Sequence, residues 1–288
     1  MALITNILFP VDFSHSCLAM GAYVKRVAAI FGARMSMIHV FDSASHNGLE
    51  LYLMRTPDEI AQEHEEVARQ RLDSFLQFDF PGSRFPRILV SGDTASEIAV
   101  NAKHGFDLII MPTHAGAFRR MLLGSTTAKV LNDVECPVIT SEHAESIAPR
   151  PIAHRKMLCA VGLGENSERV LRYAHKLSAE AHANLRIVHA VQAADSLVSR
   201  PLALEEWTQS EERQPAHERI DALQTRVGSQ APIQIAVGPI KQALVEAARQ
   251  SDADLLIIGR DSQSGVQGRL RDLTYAMVRD SPYPVLSV

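Results

Sequence analysis

The sequence contains the same pattern twice, and this duplication constrains the fold more than any other feature. The stretch NILFPVDFSHSCLAMGAYVKRVAAIFGARMSMIHVFD, residues 6–42, corresponds without a gap to KMLCAVGLGENSERVLRYAHKLSAEAHANLRIVHAVQ, residues 156–192. Later in each copy, FDLIIMPTH matches ADLLIIGRD, and ECPVITS matches PYPVLSV. A unit of about 145 residues that occurs twice is expected to form two domains of ordinary size. We place them at residues 1–143 and 153–288, joined by a polar linker that contains prolines.

Each copy alternates short apolar runs with helical patterns. In the first copy, the predicted strands are NILFPV, RMSMIHVF, RFPRILVSG, FDLIIMP and CPVITS. The second helix of that copy is predicted to begin at Thr56, which forms a capping box with Glu59, and Pro57 lies in its first turn. In the second copy, Pro215 is expected to break or kink the second helix. The βαβαβαβαβ order predicts an α/β fold: two tandem Rossmann-like domains, each a five-stranded parallel sheet with helices on both faces.

The carboxyl ends of the predicted strands indicate where a ligand should bind, because doubly wound parallel sheets bind ligands at that edge. The residues there are Pro10, Val11 and Asp12 at the end of the first strand, His39, Val40, Phe41 and Asp42 at the end of the second, Met111 to His114 at the end of the fourth, and Gly124, Ser125 and Thr126 at the start of the last helix. A helix N-terminus favours an anion, since its first N–H groups are unpaired. An aspartate at a strand end can accept hydrogen bonds from a base amine or a ribose hydroxyl.

The first copy resembles the universal stress proteins through ILFPVDFS, GARMSMIHVFD, GDTASEIA, DLIIMPTHAGAFRRMLLGSTTAKVL and CPVI. The second copy is similar to them through MLCAVGLGENSERVLRYAHKL, ANLRIVHAV, DADLLIIGR and YPVLSV. The whole chain therefore looks like a tandem-domain universal stress protein. The resemblance implies an adenine nucleotide alpha hydrolase-like fold, a role in stress tolerance and a cytoplasmic location. Some members of the family bind ATP or AMP, with Mg²⁺ as a further expectation, and others bind no nucleotide.

The first copy departs from the glycine motif of ATP-binding family members, which is Gly, two residues, Gly, nine residues, then Gly-Ser or Gly-Thr. Pro112 stands at the first glycine, Ala115 at the second, and eight residues precede Gly124. Gly116 is a candidate to replace the second glycine in a shifted loop. The candidate nucleotide-binding residues are therefore Pro10, Asp12, Val40, Met111, Pro112, Gly116, Gly124, Ser125 and Thr126.

The second copy departs from the motif further. Gly162 replaces the aspartate, Ser262 stands at the second glycine, and Asp272-Leu273 stands at the Gly-Ser position. A carboxylate at that helix start would repel a phosphate a few ångströms away. We expect this copy to bind no nucleotide in the manner of the family.

Composition and motifs exclude several function classes. A formal net charge of -4 with interspersed signs argues against a nucleic-acid or membrane surface. Three widely spaced cysteines without a CxxC pair give no zinc or disulfide framework, and no metal-ligand spacing is present. The chain has no GxSxG, P-loop or GxGxxG signature, so slow ATP hydrolysis is the only enzymatic activity that the resemblance allows.

Two functional hypotheses remain open from the sequence. In the first, ATP or AMP bound in the first copy acts as a switch. In the second, both sites are degenerate and the chain is an interaction scaffold for other proteins. Because universal stress domains pair through their last strands, CPVITS and YPVLSV are expected to pair within the chain, and a homodimer is a further expectation.

Overall fold

The computed structural model describes residues 2–42, 56–113, 123–141, 154–191, 202–260 and 268–288. The chain divides into two compact units. Unit one consists mainly of residues 2–140, and unit two consists mainly of residues 151–288. No helix in the described part of the chain is long and apolar enough to cross a membrane.

Unit one is a five-stranded sheet with helices on both faces. Its elements are β1 (Asn6–Pro10), α1 (His15–Phe31), β2 (Arg34–Phe41), α2 (Pro57–Ser74), β3 (Arg87–Ser91), α3 (Thr94–Ala102), β4 (Leu108–Pro112), α4 (Ser125–Asp133) and β5 (Val138–Ser141). The strand order is β3-β2-β1-β4-β5. β1 pairs in parallel with β2 and β4, and β2 pairs in parallel with β3. The order reverses between β1 and β4, so a crevice is expected at their carboxyl ends.

The central strands of unit one are buried on both faces, which explains their continuous apolar sequence. Ile7, Leu8 and Phe9 in β1 are fully shielded from solvent, as are residues 108–110 in β4. The helix ends follow local signals. α2 begins with the predicted capping box of Thr56 and Glu59. α1 ends at Gly32, whose φ of 61° places it in the left-handed region that glycine adopts without strain.

Unit two repeats this architecture, which confirms the predicted fold class. Its elements are β6 (Lys156–Ala160), α5 (Ser167–Glu180), β7 (Asn184–Val191), α6 (Leu202–Val227), β8 (Ile233–Val237), α7 (Ile240–Gln250), β9 (Leu255–Ile258), α8 (Gly268–Asp280) and β10 (Val285–Ser287). The strand order is β8-β7-β6-β9-β10, and the pairs β6–β7, β6–β9, β7–β8 and β9–β10 are parallel.

The helix does not break at Pro215, because α6 runs from Leu202 to Val227 through this proline; the kink stays a prediction. A proline inside a helix removes one backbone hydrogen bond, which destabilises the helix locally. Burial of the following turns offsets that loss. Ala216, Ile220 and Leu223 are all buried, so packing of this face against the unit maintains the helix beyond the proline.

A repeated carboxylate fixes the start of the first strand in each unit. Asp107 Oδ2 accepts hydrogen bonds from the N–H groups of Thr5 (2.7 Å) and Asn6 (3.0 Å). Asp254 accepts equivalent bonds from the backbone at the start of β6, at 2.8 and 3.1 Å. The duplication visible in the sequence therefore extends to individual hydrogen bonds that hold the sheet together.

Candidate functional site

A cavity of about 250 Å³ lies at the carboxyl ends of β1, β2 and β4 in unit one. The starts of α3 and α4 complete its wall. Eight of the nine predicted site residues line it: Pro10, Asp12, Val40, Met111, Pro112, Gly124, Ser125 and Thr126. The ninth, Gly116, lies outside the described residues. Residues from four separate segments of the sequence thus meet at one point of the fold.

Eight further residues, outside the nine candidates, also line this cavity. They are Val11, Cys17, Ile38, His39, Thr94, Ile98, Thr113 and Thr127. Most of them are immediate neighbours of predicted residues on the same strand end or helix start. Thr94 and Ile98 instead come from α3, where a spacing of four residues places them on one helix face. Only the folded topology identifies that face as part of the site.

The turn that carries Asp12 is held in an unusual backbone conformation. Asp12 Oδ1 accepts a hydrogen bond from the Ser14 N–H at 2.9 Å, and Ser14 is the N-cap of α1. Between them, Phe13 has a φ of 63°, a left-handed value that is uncommon for a bulky residue. Leu163, at the corresponding position of unit two, has a φ of 60°. The strained turn therefore belongs to the repeated fold, whereas the exposed carboxylate at Asp12 is specific to unit one.

His39 fixes the position of this turn from the neighbouring strand. Its Nδ1 atom lies 2.7 Å from the Val11 carbonyl oxygen, which can only accept, so Nδ1 carries a proton. Burial lowers the pKa of His39; the Val11 bond opposes the shift, and the charge of Arg71 adds to it. The ring also lies 4.2 Å from the Phe13 ring, centroid to centroid. The same Nδ1–carbonyl distance of 2.7 Å joins His189 to Val161, so the repeated histidine makes the same hydrogen bond in both units.

The first turn of α4 carries backbone N–H groups that have no partner among the described residues. The Gly124 N–H donates to the Thr113 carbonyl oxygen at 3.2 Å, and a Cβ at Gly124 would lie only 3.0 Å from that oxygen. Gly124 is the N-cap and has no side chain to accept from the first turn. The N–H groups of residues 125–127 therefore have no partner within the helix. Together with the helix dipole, they form a local site for an anion.

Unit two has a corresponding cavity of about 180 Å³, lined by residues that include Gly162, His189, Gly259 and Thr274. Thr274 Oγ1 donates to the Gly259 carbonyl oxygen at 3.2 Å. Thr127 Oγ1 makes the same bond to the Pro112 carbonyl oxygen at 3.3 Å. These equivalent bonds identify Thr274 as the counterpart of Thr127.

This equivalence aligns Asp272 with Ser125 and Leu273 with Thr126. The offset from the motif count arises because the loop before Gly124 is one residue shorter than the family motif from which Asp272-Leu273 was counted. In addition, α8 begins at Gly268, one turn before the position that corresponds to the start of α4. The backbone N–H at Asp272 is therefore inside the helix and is not an unpaired donor. Ser262 lies outside the described residues.

The cysteines allow a direct test of the site in solution. Cys17 lines the unit-one cavity but is 2% exposed; burial, followed by the charge of Asp12, raises its pKa to about 12. Burial also raises the pKa of Cys159 to about 12. Cys136 is only partly buried. We expect iodoacetamide at pH 8 to alkylate Cys136 first, because the other two thiols remain protonated and shielded. Mass spectrometry of peptides from native protein measures the order, and equal labelling of Cys17 would contradict this packing.

The described residues contain no group of three histidine, cysteine or acidic side chains arranged to hold a metal ion. The site in unit one thus consists of an exposed carboxylate, a cavity with apolar and hydroxyl-bearing walls, and a helix N-terminus. This arrangement can bind a small molecule that has hydrogen-bond donors at one end and negative charge at the other.

The same protein family matches both units of the chain. The model of the universal stress protein family matches residues 4–141 and 153–288. A curated relative, universal stress protein A homolog 2 from Coxiella burnetii, is 30% identical over 141 residues, which are 47% of this chain and 94% of that protein.

Solved structures show the same fold over the whole chain. A universal stress protein from Archaeoglobus fulgidus superposes with a TM-score of 0.68 at 19% identity, covering 98% of this chain and 97% of that one. A putative universal stress protein from Pseudomonas aeruginosa gives a TM-score of 0.61 at 19% identity, covering 99% and 93%.

Proposed function

The chain belongs to the universal stress protein family, and we propose that its unit one binds ATP or AMP as a switch in a stress response. The observation that carries this proposal is the convergence of Asp12, Val40 and the start of α4 on one cavity. These are residues that the sequence itself assigns to a nucleotide site. In the alternative, the chain is an interaction scaffold for other proteins, and this cavity binds no nucleotide.

The proposed pose places the nucleoside in the cavity and the phosphates at its mouth. Asp12 accepts hydrogen bonds from the base amine or a ribose hydroxyl, since its carboxylate is exposed. The cavity of about 250 Å³ is slightly smaller than the roughly 300–1,000 Å³ that enclose drug-sized ligands. The outer phosphates therefore extend toward solvent beside Ser125, which is exposed at the first position of α4.

Phosphate binding in this pose depends on α4 more than on the strand end. Pro112 has no N–H to offer, and its carbonyl oxygen already accepts from Thr127. The unpaired N–H groups of residues 125–127 provide the donors instead. Mg²⁺ is proposed only as a companion of the phosphates, because it keeps most of its water ligands in nucleotide sites.

The two units should differ in nucleotide binding. In unit two, Gly162 supplies no carboxylate, and Asp272 occupies the position of Ser125 on a helix that begins a turn earlier. A phosphate beside Asp272 would find no unpaired backbone N–H group, and the residue next to it would be acidic. We therefore propose a stoichiometry of one nucleotide per chain.

Calorimetric titration with ATP and AMP in the presence of Mg²⁺ tests the proposal. We expect a Kd of order micromolar for the wild type, and a Kd about 10- to 100-fold higher for Asp12→Ala, since hydrogen bonds to a charged group are removed. The matched control is Asp133→Ala, an exposed carboxylate at the far end of α4, which should leave the Kd unchanged.

Two outcomes would contradict the proposal. Absence of heat at millimolar nucleotide would reject nucleotide binding and favour the scaffold hypothesis, so that protein partners would be sought. Two nucleotides per chain would reject the proposed difference between the units.

A further inference from the structure

Thr113 is a buried polar residue of unit one. It follows β4 directly, lines the cavity and is 0% exposed. Its carbonyl oxygen accepts from the Gly124 N–H at 3.2 Å and from Thr127 Oγ1 at 3.4 Å. Its own Oγ1 has no hydrogen-bond partner among the described residues. Burial of a hydroxyl without a partner destabilises a protein, so native structures rarely retain one without a reason.

The position of Thr113 indicates what that partner is. Thr113 is bonded to the N-cap of α4, beside the three N–H groups that have no partner within the helix. A threonine hydroxyl changes direction by rotation about χ1 alone. A phosphate oxygen bound at the first turn of α4 can accept from it, and a hydrogen bond to a charged acceptor is stronger in a shielded site than in water.

We propose that the Thr113 hydroxyl is a ligand-binding group that donates a hydrogen bond to a phosphate oxygen of the nucleotide at the first turn of α4. This inference rests on the proposed nucleotide binding by unit one and adds a residue to that site. The hydroxyl has no acceptor in the described part of the free protein, and the bound phosphate supplies one.

Unit two provides an internal comparison. The equivalence of Gly259 with Pro112 places Arg260 at the position of Thr113. The Arg260 N–H donates to the Val288 carbonyl oxygen at 2.8 Å, so the backbone there keeps its place in the sheet without a hydroxyl side chain. Unit two thus lacks this hydroxyl together with the carboxylate and the unpaired helix start. The fold does not require a threonine at this position, which supports a role in binding.

The test distinguishes a role of the hydroxyl in binding from a role in stability. It uses Thr113→Val, because valine has nearly the same shape as threonine and lacks the hydroxyl. If the hydroxyl binds phosphate, the variant should raise the Kd for ATP about tenfold while its Tm without nucleotide stays the same or rises. Thr113→Ser keeps a hydroxyl and should restore the Kd to within about threefold of the wild type. Thr140→Val, at a buried position on β5 that does not line the cavity, should leave the Kd unchanged.

Calorimetry with ATP and thermal unfolding without nucleotide give both readouts on the full chain. An unchanged Kd in Thr113→Val beside normal wild-type binding would overturn the role of the hydroxyl and leave nucleotide binding intact. A fall in Tm with an unchanged Kd would assign the hydroxyl to stability, which also overturns the inference. Absence of wild-type binding would reject the proposed function, and this inference with it.

Discussion

Replacement of Ser125 by aspartate is expected to raise the Kd of unit one for ATP about 10- to 100-fold. The new carboxylate would occupy the first position of α4, where the proposed phosphate binds. Two unit charges 4 Å apart repel by about 4 kcal/mol at an effective dielectric constant of 20, and exposure of Ser125 to solvent reduces this value. The variant copies unit two, in which Asp272 occupies the corresponding position.

The same substitution should not destabilise the protein. An acidic side chain in the first turn interacts favourably with the helix dipole, which adds about 0.3–1 kcal/mol to helix stability. A higher Tm together with weaker binding therefore separates electrostatic repulsion from misfolding. Ser125→Asn is the matched control, because asparagine has nearly the shape of aspartate without its charge. This variant should change the Kd for ATP by less than about threefold.

Calorimetry at two salt concentrations completes this test. Repulsion between exposed charges is screened by salt, so the difference between Ser125→Asp and the wild type should narrow from low to high ionic strength. Binding by Ser125→Asp as tight as that of the wild type would show that the phosphates do not lie at α4. Asp12 and the cavity could then still hold a nucleoside, which a titration with adenosine would reveal.

The sequence predicts the parts of this protein that follow from local chemistry and strand order. Continuous apolar runs predicted the buried strands, and the alternation of elements predicted the parallel sheet with its ligand edge. Eight site residues could be named because they follow strand ends or begin a helix. Thr94 and Ile98 could not be named, because the packing of α3 over that edge depends on contacts far apart in the sequence.

Helix boundaries depend less on local sequence than strand order does. α8 begins at Gly268, which no capping residue marks in the sequence, so its start could not be predicted. The continuation of α6 through Pro215 depends on burial of the turns that follow it. At Pro215, tertiary packing therefore outweighs the local preference on which a sequence-based prediction depends.

The comparison between the two units separates residues of the fold from residues of the site. The histidine that binds a carbonyl oxygen and the left-handed residue after the first strand occur in both units. Asp12, Ser125 and Thr113 occur only in unit one. Substitutions at the shared positions should therefore affect stability, whereas substitutions at these three should affect binding.

The largest stability effect is expected for Arg87→Ile, because Arg87 holds the connection between α2 and β3. Its guanidinium donates to the Leu72 carbonyl oxygen and, at 2.8 Å, to the Phe80 carbonyl oxygen. Residues 75–86 form this connection, and Phe80 within it is fully buried. In unit two, α6 and β8 are separated by only residues 228–232, and Ile233 occupies the position of Arg87 in the sheet register. The arginine is thus required by the longer connection of unit one.

Arg87→Ile removes the donors and leaves two partly buried carbonyl oxygens unpaired. We expect the free energy of unfolding of unit one to fall by about 2–4 kcal/mol. Arg84→Ile is the matched control, since Arg84 is exposed in the same connection and should change stability by less than about 0.5 kcal/mol. Tryptophan fluorescence is not a suitable measurement of unfolding in unit one, because the single tryptophan, Trp207, lies in unit two.

Hydrogen–deuterium exchange of peptides from residues 75–91 measures the protection of this connection. Urea unfolding, monitored by circular dichroism, measures the free energy of unfolding. Exchange in this segment should accelerate in Arg87→Ile and remain slow in Arg84→Ile, because only the first substitution releases the two carbonyl groups. Equal protection in both variants would show that packing of Phe80 suffices to hold the connection. The ends of α2 and β3 would then owe their positions to the apolar core alone.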